Sequence, residues 1–210
     1  MAEEAKEETI MNKEDYLKVG INIATRTKSP GMKKFIYRTR DDGLYLLDLD
    51  TIDSRLGAAA RMIASYEPKD IVVTASRLYA ITPAEKFSEI IGAKFLAGRV
   101  APGIFTNPHK NGFMEPKLIL ISDTRNEKQA VREASMINIP IIALCDTDNF
   151  TKFVDLIVPA NNRGRRSLAF IYYTLAREVL KARGELKSNE EFKYTVDDFG
   201  AKIEGKEQSK

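Results

Sequence analysis

Three arginines, Arg163, Arg165 and Arg166, crowd the stretch PANNRGRRSL (159–168), where an apolar run gives way to a helical pattern. A helix N-terminus already carries about half a positive charge, and each surface cation placed there costs about 0.3–1 kcal/mol. The free backbone N–H groups, the macrodipole and the guanidinium forks converge on one anion, and a bound phosphate relieves the crowding. Asn161 and Asn162 lie in the same turn as backbone or phosphate partners. Pairing of the arginines with Asp148 or Asp155 is the structural alternative. A second basic element points the same way. Gly20 to Arg40 carries Arg26, Lys28, Lys33, Lys34, Arg38 and Arg40 and no carboxylate. Such a one-sign block implies an anionic partner or a solvated face. Phe35 and Tyr37 within it suit either base stacking or the core. Arg99 and Asn107, around a Pro-Gly turn, complete the candidate set. Several basic segments favour a polymer over a small ligand, because affinity for a polyanion grows with each cation that releases counterions.

The competing chemistry is enzymatic. An open parallel sheet binds ligands beyond the carboxyl ends of its strands. Ser122-Asp123-Thr124-Arg125 and Asp146-Thr147-Asp148-Asn149 fall at such ends, beside the arginine turn. A sugar-phosphate- or nucleotide-binding enzyme would use Asp123, Asp146 and Asp148 as base or metal groups. The same residue types are ordinary turn formers and caps. Neither G-x-G-x-x-G after a strand nor G-x-x-x-x-G-K-[ST] occurs, so the common nucleotide cradles are missing. His109 is the single histidine and has no second ligand nearby in sequence. Cys145 ends an apolar strand and reads as a core thiol. No catalytic residue, cofactor or metal is expected.

These residues need a scaffold, and the pattern supplies one. DIVVTAS (70–76), LILIS (118–122), IPIIALC (139–145) and DLIVPA (155–160) are short apolar runs suited to strands buried on both faces, with GLYLLDLD (43–50) and KFLAGR (94–99) as further strands. Helices are predicted over Lys13–Lys18 and over 52–66, capped by Asp50 or Thr51. Another is predicted over 82–92, with Thr82 as N-cap, a capping box through Glu85 and Gly92 as the stop. Thr124 and Glu127 suggest a second capping box ahead of a helix to Asn138. Leu168 to Leu180 repeats apolar residues at helical spacing and ends at Gly184. Strand, helix and strand within 118–145 make a compact βαβ unit. The fold class is therefore α/β, a three-layer sandwich with a mainly parallel, Rossmann- or flavodoxin-like sheet. The strand order is not legible.

The chain has 210 residues, one cysteine and a net charge of +3. One cysteine permits no internal disulfide, which suits a reducing compartment. The polar, acidic start MAEEAKEET is not a signal peptide. Asn149-Phe150-Thr151 matches a glycosylation sequon by chance. Residues 1–19 hold three basic and six acidic side chains, and residues 184–210 hold five and seven. The middle, 20–183, holds 25 basic and 17 acidic. The expected organisation is an acidic flexible tail over 1–12, one polyanion-binding α/β domain over 13–185, and an acidic tail over 186–210 that is disordered or ordered by neighbours.

Four stretches together resemble the small-subunit ribosomal protein two family in its archaeal and eukaryotic form. They are SPGMKKFIYRTRDDGLYLLDL (29–49), GRVAPGIFTNP (98–108), IPIIALCDTDN (139–149) and VPANNRGRRSLAFIYYTLAREVLKARG (158–184). The short end after the last helix resembles archaeal members. Bacterial members carry a coiled-coil insertion after the segment matching IFTN, whereas here only PHKNGFMEP precedes the strand at 118. Val100 and Thr124 depart from the family, which favours an aromatic and a proline there. The resemblance implies a cytoplasmic, non-catalytic constituent of the small ribosomal subunit. Its partners would be ribosomal RNA and neighbouring ribosomal proteins, with no membrane.

Overall fold

A computed structural model describes residue 10 and residues 12–200; most of the tail assigned to 1–12, and residues 201–210, lie outside the described residues. The apolar runs form a five-stranded sheet of β3 (Ile71–Ala75), β4 (Lys94–Ala97), β5 (Leu118–Ile121), β6 (Ile141–Cys145) and β7 (Leu156–Pro159), preceded in the chain by a separate hairpin of β1 (Ile36–Thr39) and β2 (Tyr45–Leu47). The sheet order is β4-β3-β5-β6-β7 and every pair is parallel. Counted from β3, that is the 2-1-3-4-5 order of flavodoxin-like sheets, with its topological switch between β3 and β5. β3, β5 and β6 are buried along their whole length, as strands covered on both faces must be.

Among the described residues there are five α-helices, α1 (Lys13–Val19), α2 (Leu49–Ala64), α3 (Leu78–Ile91), α4 (Lys128–Met136) and α5 (Arg165–Ala182), with α1 packed on α5. α5 packs against both α2 and α3, and twelve of its eighteen residues are buried. The β3–α3–β4 and β5–α4–β6 crossovers run in opposite directions across the sheet, so their shared right hand puts α3 and α4 on opposite faces. The result is a three-layer sandwich. α4 shares its face with the loop of residues 98–117, tied down where Glu133 accepts the N–H groups of Gly103 (2.6 Å) and Phe105 (3.2 Å).

Three local expectations are corrected. α2 is capped by Asp48, whose carboxylate accepts the Thr51 N–H at 3.1 Å, and not by Asp50 or Thr51. α3 starts at Leu78, one turn before the Thr82 capping motif, and takes Pro83 into its interior. The proline removes the bond to the carbonyl of Tyr79, a partly exposed residue where water can substitute. Glu127 caps nothing with its side chain, which is buried beneath β3 instead. Beyond α5, residues 186–199 also depart from a free tail. Phe192 and Phe199 are buried against Tyr173 of α5, with ring centroids 5.3 and 5.9 Å away.

Candidate nucleic-acid interface

Because the five strands are parallel, their carboxyl ends line one edge. The segments leaving them carry, in sheet order, Arg99 after β4, Arg77 after β3, Arg125 after β5, Asp146 to Asn149 after β6, and Arg163, Arg165 and Arg166 after β7. At about 4.8 Å between strands, the row spans roughly 19 Å. Arg77 escaped the sequence reading, although it follows the β3 run by two residues, and Arg125 was named only within the strand-end stretch 122–125 and not among the candidate cations.

The switch point between β3 and β5 is where such sheets receive a ligand. Here a cavity of about 440 Å³ lined by Ser76, Arg99 and Glu127 remains, and the protein's own side chains engage the acids around it. Arg77 places Nε and Nη2 each 2.6 Å from Oδ2 of Asp123, which is fully buried. The other Asp123 oxygen accepts Asn149 Nδ2 at 2.5 Å and the Arg125 N–H at 2.9 Å. Beside it, Glu127 accepts the Thr74 hydroxyl, and the Ser76 N–H and hydroxyl at 3.0 and 3.1 Å. Burial pushes the Glu127 carboxyl up to about 8 against the pull of those donors. Asp146 accepts the N–H groups of Thr147 (2.6 Å) and Thr25 (3.3 Å), and burial pushes it up to about 6. The carboxylates that an enzyme would need are engaged in holding the loops. Cys145 is buried, which raises its thiol, and Asn149 is buried and unavailable to a glycan.

The arginine turn divides in two. Arg163 lies with Nε 3.6 Å from Asp146 and donates to Asp148, which also takes Arg125 at 2.6 Å. The structural alternative thus holds for Arg163 through Asp148. Asp155 instead accepts the Ile141 N–H at 2.8 Å. Arg165 and Arg166 are exposed, and neither side chain has a hydrogen bond or ion pair with another described residue. Asn161 shapes the turn: its Oδ1 accepts the N–H groups of Arg163 and Gly164, both at 3.0 Å, and its Nδ2 donates to the Gly20 carbonyl at 3.2 Å. Of its two expected roles, Asn162 takes the backbone one and not the phosphate one. It is fully buried and donates to the Ser122 and Leu144 carbonyls, both at 3.1 Å, bridging β5 and β6. Asn107 is exposed and accepts the His109 N–H at 3.1 Å.

The 20–40 block is tied to this edge. The Thr25 and Thr147 hydroxyls meet at 2.9 Å, Ser29 donates to the Thr147 carbonyl at 2.7 Å, and Asn161 donates to the Ile21 carbonyl at 2.8 Å. Gly31 sits so close to Thr151 that a Cβ would lie 1.9 Å from its hydroxyl oxygen. Arg26, Lys28, Lys33 and Lys34 are therefore exposed beside the loops that follow β6 and β7. Arg38 and Arg40 are exposed on the separate hairpin, where Arg40 pairs with Asp42 at 3.4 Å. Phe35 belongs to the core, whereas Tyr37 is 72% exposed.

Residues 109–182 match the family described as Ribosomal protein S2. The chain is 51% identical to the small ribosomal subunit protein uS2 of Thermoplasma acidophilum, over 94% of this chain and 99% of that relative. The chain belongs to the uS2 family. The uS2 proteins of Thermoplasma volcanium and Saccharolobus solfataricus are 50% and 43% identical, covering 100% and 85% of those relatives and 94% and 93% of this chain. The two departures from the uS2 pattern are accommodated locally. Val100 is buried, and Thr124 donates to the Phe150 carbonyl at 2.8 Å, a bond proline cannot make.

Proposed function

We infer that this uS2-family chain is a structural, non-catalytic constituent of the small ribosomal subunit, which acts in the cytoplasm during translation. Ribosomal RNA lies along the carboxyl edge of the sheet, and neighbouring ribosomal proteins contact other faces. The observation that carries the reading is one edge with its carboxylates engaged inside and its unpaired cations outside. Arg165, Arg166, Arg26, Lys28, Lys33, Lys34 and Arg99 contact phosphates. Arg163 and Asn161 hold the turn that presents them, and Asn107 shapes its own loop. Arg38 and Arg40 serve the hairpin as a second contact.

An enzyme at the switch point would need Asp123 or Asp146 free, and neither is. Seven phosphate contacts correspond to a slope of log affinity against log salt of about −6 on duplex RNA, taking the duplex coefficient. The test is co-sedimentation of the full chain with small ribosomal subunits across a salt series. Stable association that weakens steeply with salt supports the reading. Affinity that is flat from low to moderate salt overturns it.

A further inference from the structure

A second surface lies away from the arginine row. The helix α4 and the loop of residues 150–153 enclose a groove of about 550 Å³ whose exposed walls are mostly apolar. Met136, Phe150 and Phe153 stand in it 67%, 51% and 54% exposed, far more than a solvent-facing surface needs of such side chains. Phe153 has φ +66°, a left-handed backbone that costs a bulky residue on the order of 1–3 kcal/mol. The fold spends that strain on an aromatic ring that packs into no core. The rim is cationic. Lys128 and Lys152 lie 4.9 and 4.8 Å over the Phe150 and Phe153 rings, Arg132 completes it, and no carboxylate lines the groove.

We propose that this groove docks an acidic, amphipathic segment of a neighbouring protein, its apolar side chains on Phe150, Phe153 and Met136 and its carboxylates on Lys128, Arg132 and Lys152. Charge complementarity selects the acidic partner, and the apolar walls favour a polypeptide over RNA, whose phosphates are better met by the arginine row. α4 is about 13 Å long, which matches two to three turns of a bound helix. The inference rests on the ribosomal reading, since the neighbour is one present in the assembled subunit.

The test places a photo-crosslinking benzoylphenylalanine at Phe153, and separately at Lys33, in chains incorporated into intact small subunits, with adducts mapped by mass spectrometry. The probe at 153 is expected to join a protein stretch rich in Asp or Glu and apolar residues. Lys128→Glu with Arg132→Glu is expected to cut that yield roughly fivefold or more, as reversal of two rim charges implies. Co-sedimentation of the same variant stays unchanged. An adduct at 153 to RNA, or none while the probe at 33 does crosslink, overturns the proposal. Failure of every chain to co-sediment overturns the ribosomal reading instead.

Discussion

Replacing Arg165 and Arg166 together by glutamate pushes folding and RNA binding in opposite directions. Both residues lie in the first turn of α5, exposed and without a partner among the described residues. No packing or ion pair is lost with them. Removing a cation from that position recovers about 0.3–1 kcal/mol, and placing an anion there contributes a similar amount. After screening at 0.1–0.15 M salt, the double variant gains on the order of 1–2 kcal/mol. For a domain of this size, that raises the midpoint of thermal unfolding by roughly 2–8 °C. Binding to small-subunit RNA loses two phosphate contacts, so the salt slope becomes shallower by about 1.4–1.8. Thermal unfolding followed by circular dichroism reads the first effect, and filter binding across a salt series reads the second. Arg163→Ala is the control. It leaves Asp146 and Asp148 short of a cation and costs about 1–2 kcal/mol. A glutamate variant less stable than the wild type would refute the assignment of both arginines as free. An unchanged slope would refute their contact with phosphate.

Three further outcomes are expected. Gly31→Ala costs about 1–3 kcal/mol, because its new methyl overlaps Thr151; adding Thr151→Gly restores most of that, which a double-mutant cycle by denaturant unfolding measures. Glu127 has its folded value raised to about 8 from an ordinary 4.5, so its stability contribution is full below about pH 4.5 and is lost as pH rises through about 8. Glu127→Gln should flatten that decline by up to about 4–5 kcal/mol, read as the difference between wild-type and variant unfolding free energies from pH 5 to 9. Phe199→Ala removes a fully buried ring from Tyr173; the loss should lower stability by up to about 3–5 kcal/mol and open residues 186–199 to protease before α5.

The sheet was legible because buried parallel strands are written as continuous apolar runs, and each of DIVVTAS, LILIS and IPIIALC became one. Their order was not legible. It follows from α3 and α4 packing on opposite faces, a global choice that no single run encodes. Local punctuation misled where a distant partner competed for the same side chain. Thr124 and Glu127 satisfy the spacing of a capping box, yet Thr74 and Ser76, about fifty residues away, draw the Glu127 carboxylate inward. Thr82-Pro83 imitates a helix start in the middle of α3. The candidate cations were found by charge alone, but charge does not separate Arg163, which faces Asp148, from Arg165 and Arg166, which face solvent. Phe192 and Phe199 went unremarked because two aromatic residues in a polar stretch carry no periodicity. Their packing partners, Tyr173 on α5 and the neighbouring surface of α3, come together only in the fold.

At the carboxyl edge, the buried acids position the cations without cancelling their field. Asp123 holds Arg77, and Asp148 holds both Arg125 and Arg163, so three guanidiniums are fixed by two carboxylates. Burial pushes Glu127 up to about 8, which reduces the negative charge it sets against the positive edge. Arg99, Arg165, Arg166 and the Arg26–Lys34 cations then stand unopposed by the acids beneath them. A flavodoxin-like sheet receives its ligand in the crevice at the switch point. Here Arg77 is held on Asp123 and Glu127 on Thr74 and Ser76, beside a cavity of about 440 Å³ lined by Ser76, Arg99 and Glu127. The acids at this point are engaged, and the edge carries a fixed, outward-facing row of charge about 19 Å long. That is the shape of a surface for a polyanion. One fold thus serves a different function through side chains that lie within one to seven residues of its strand ends.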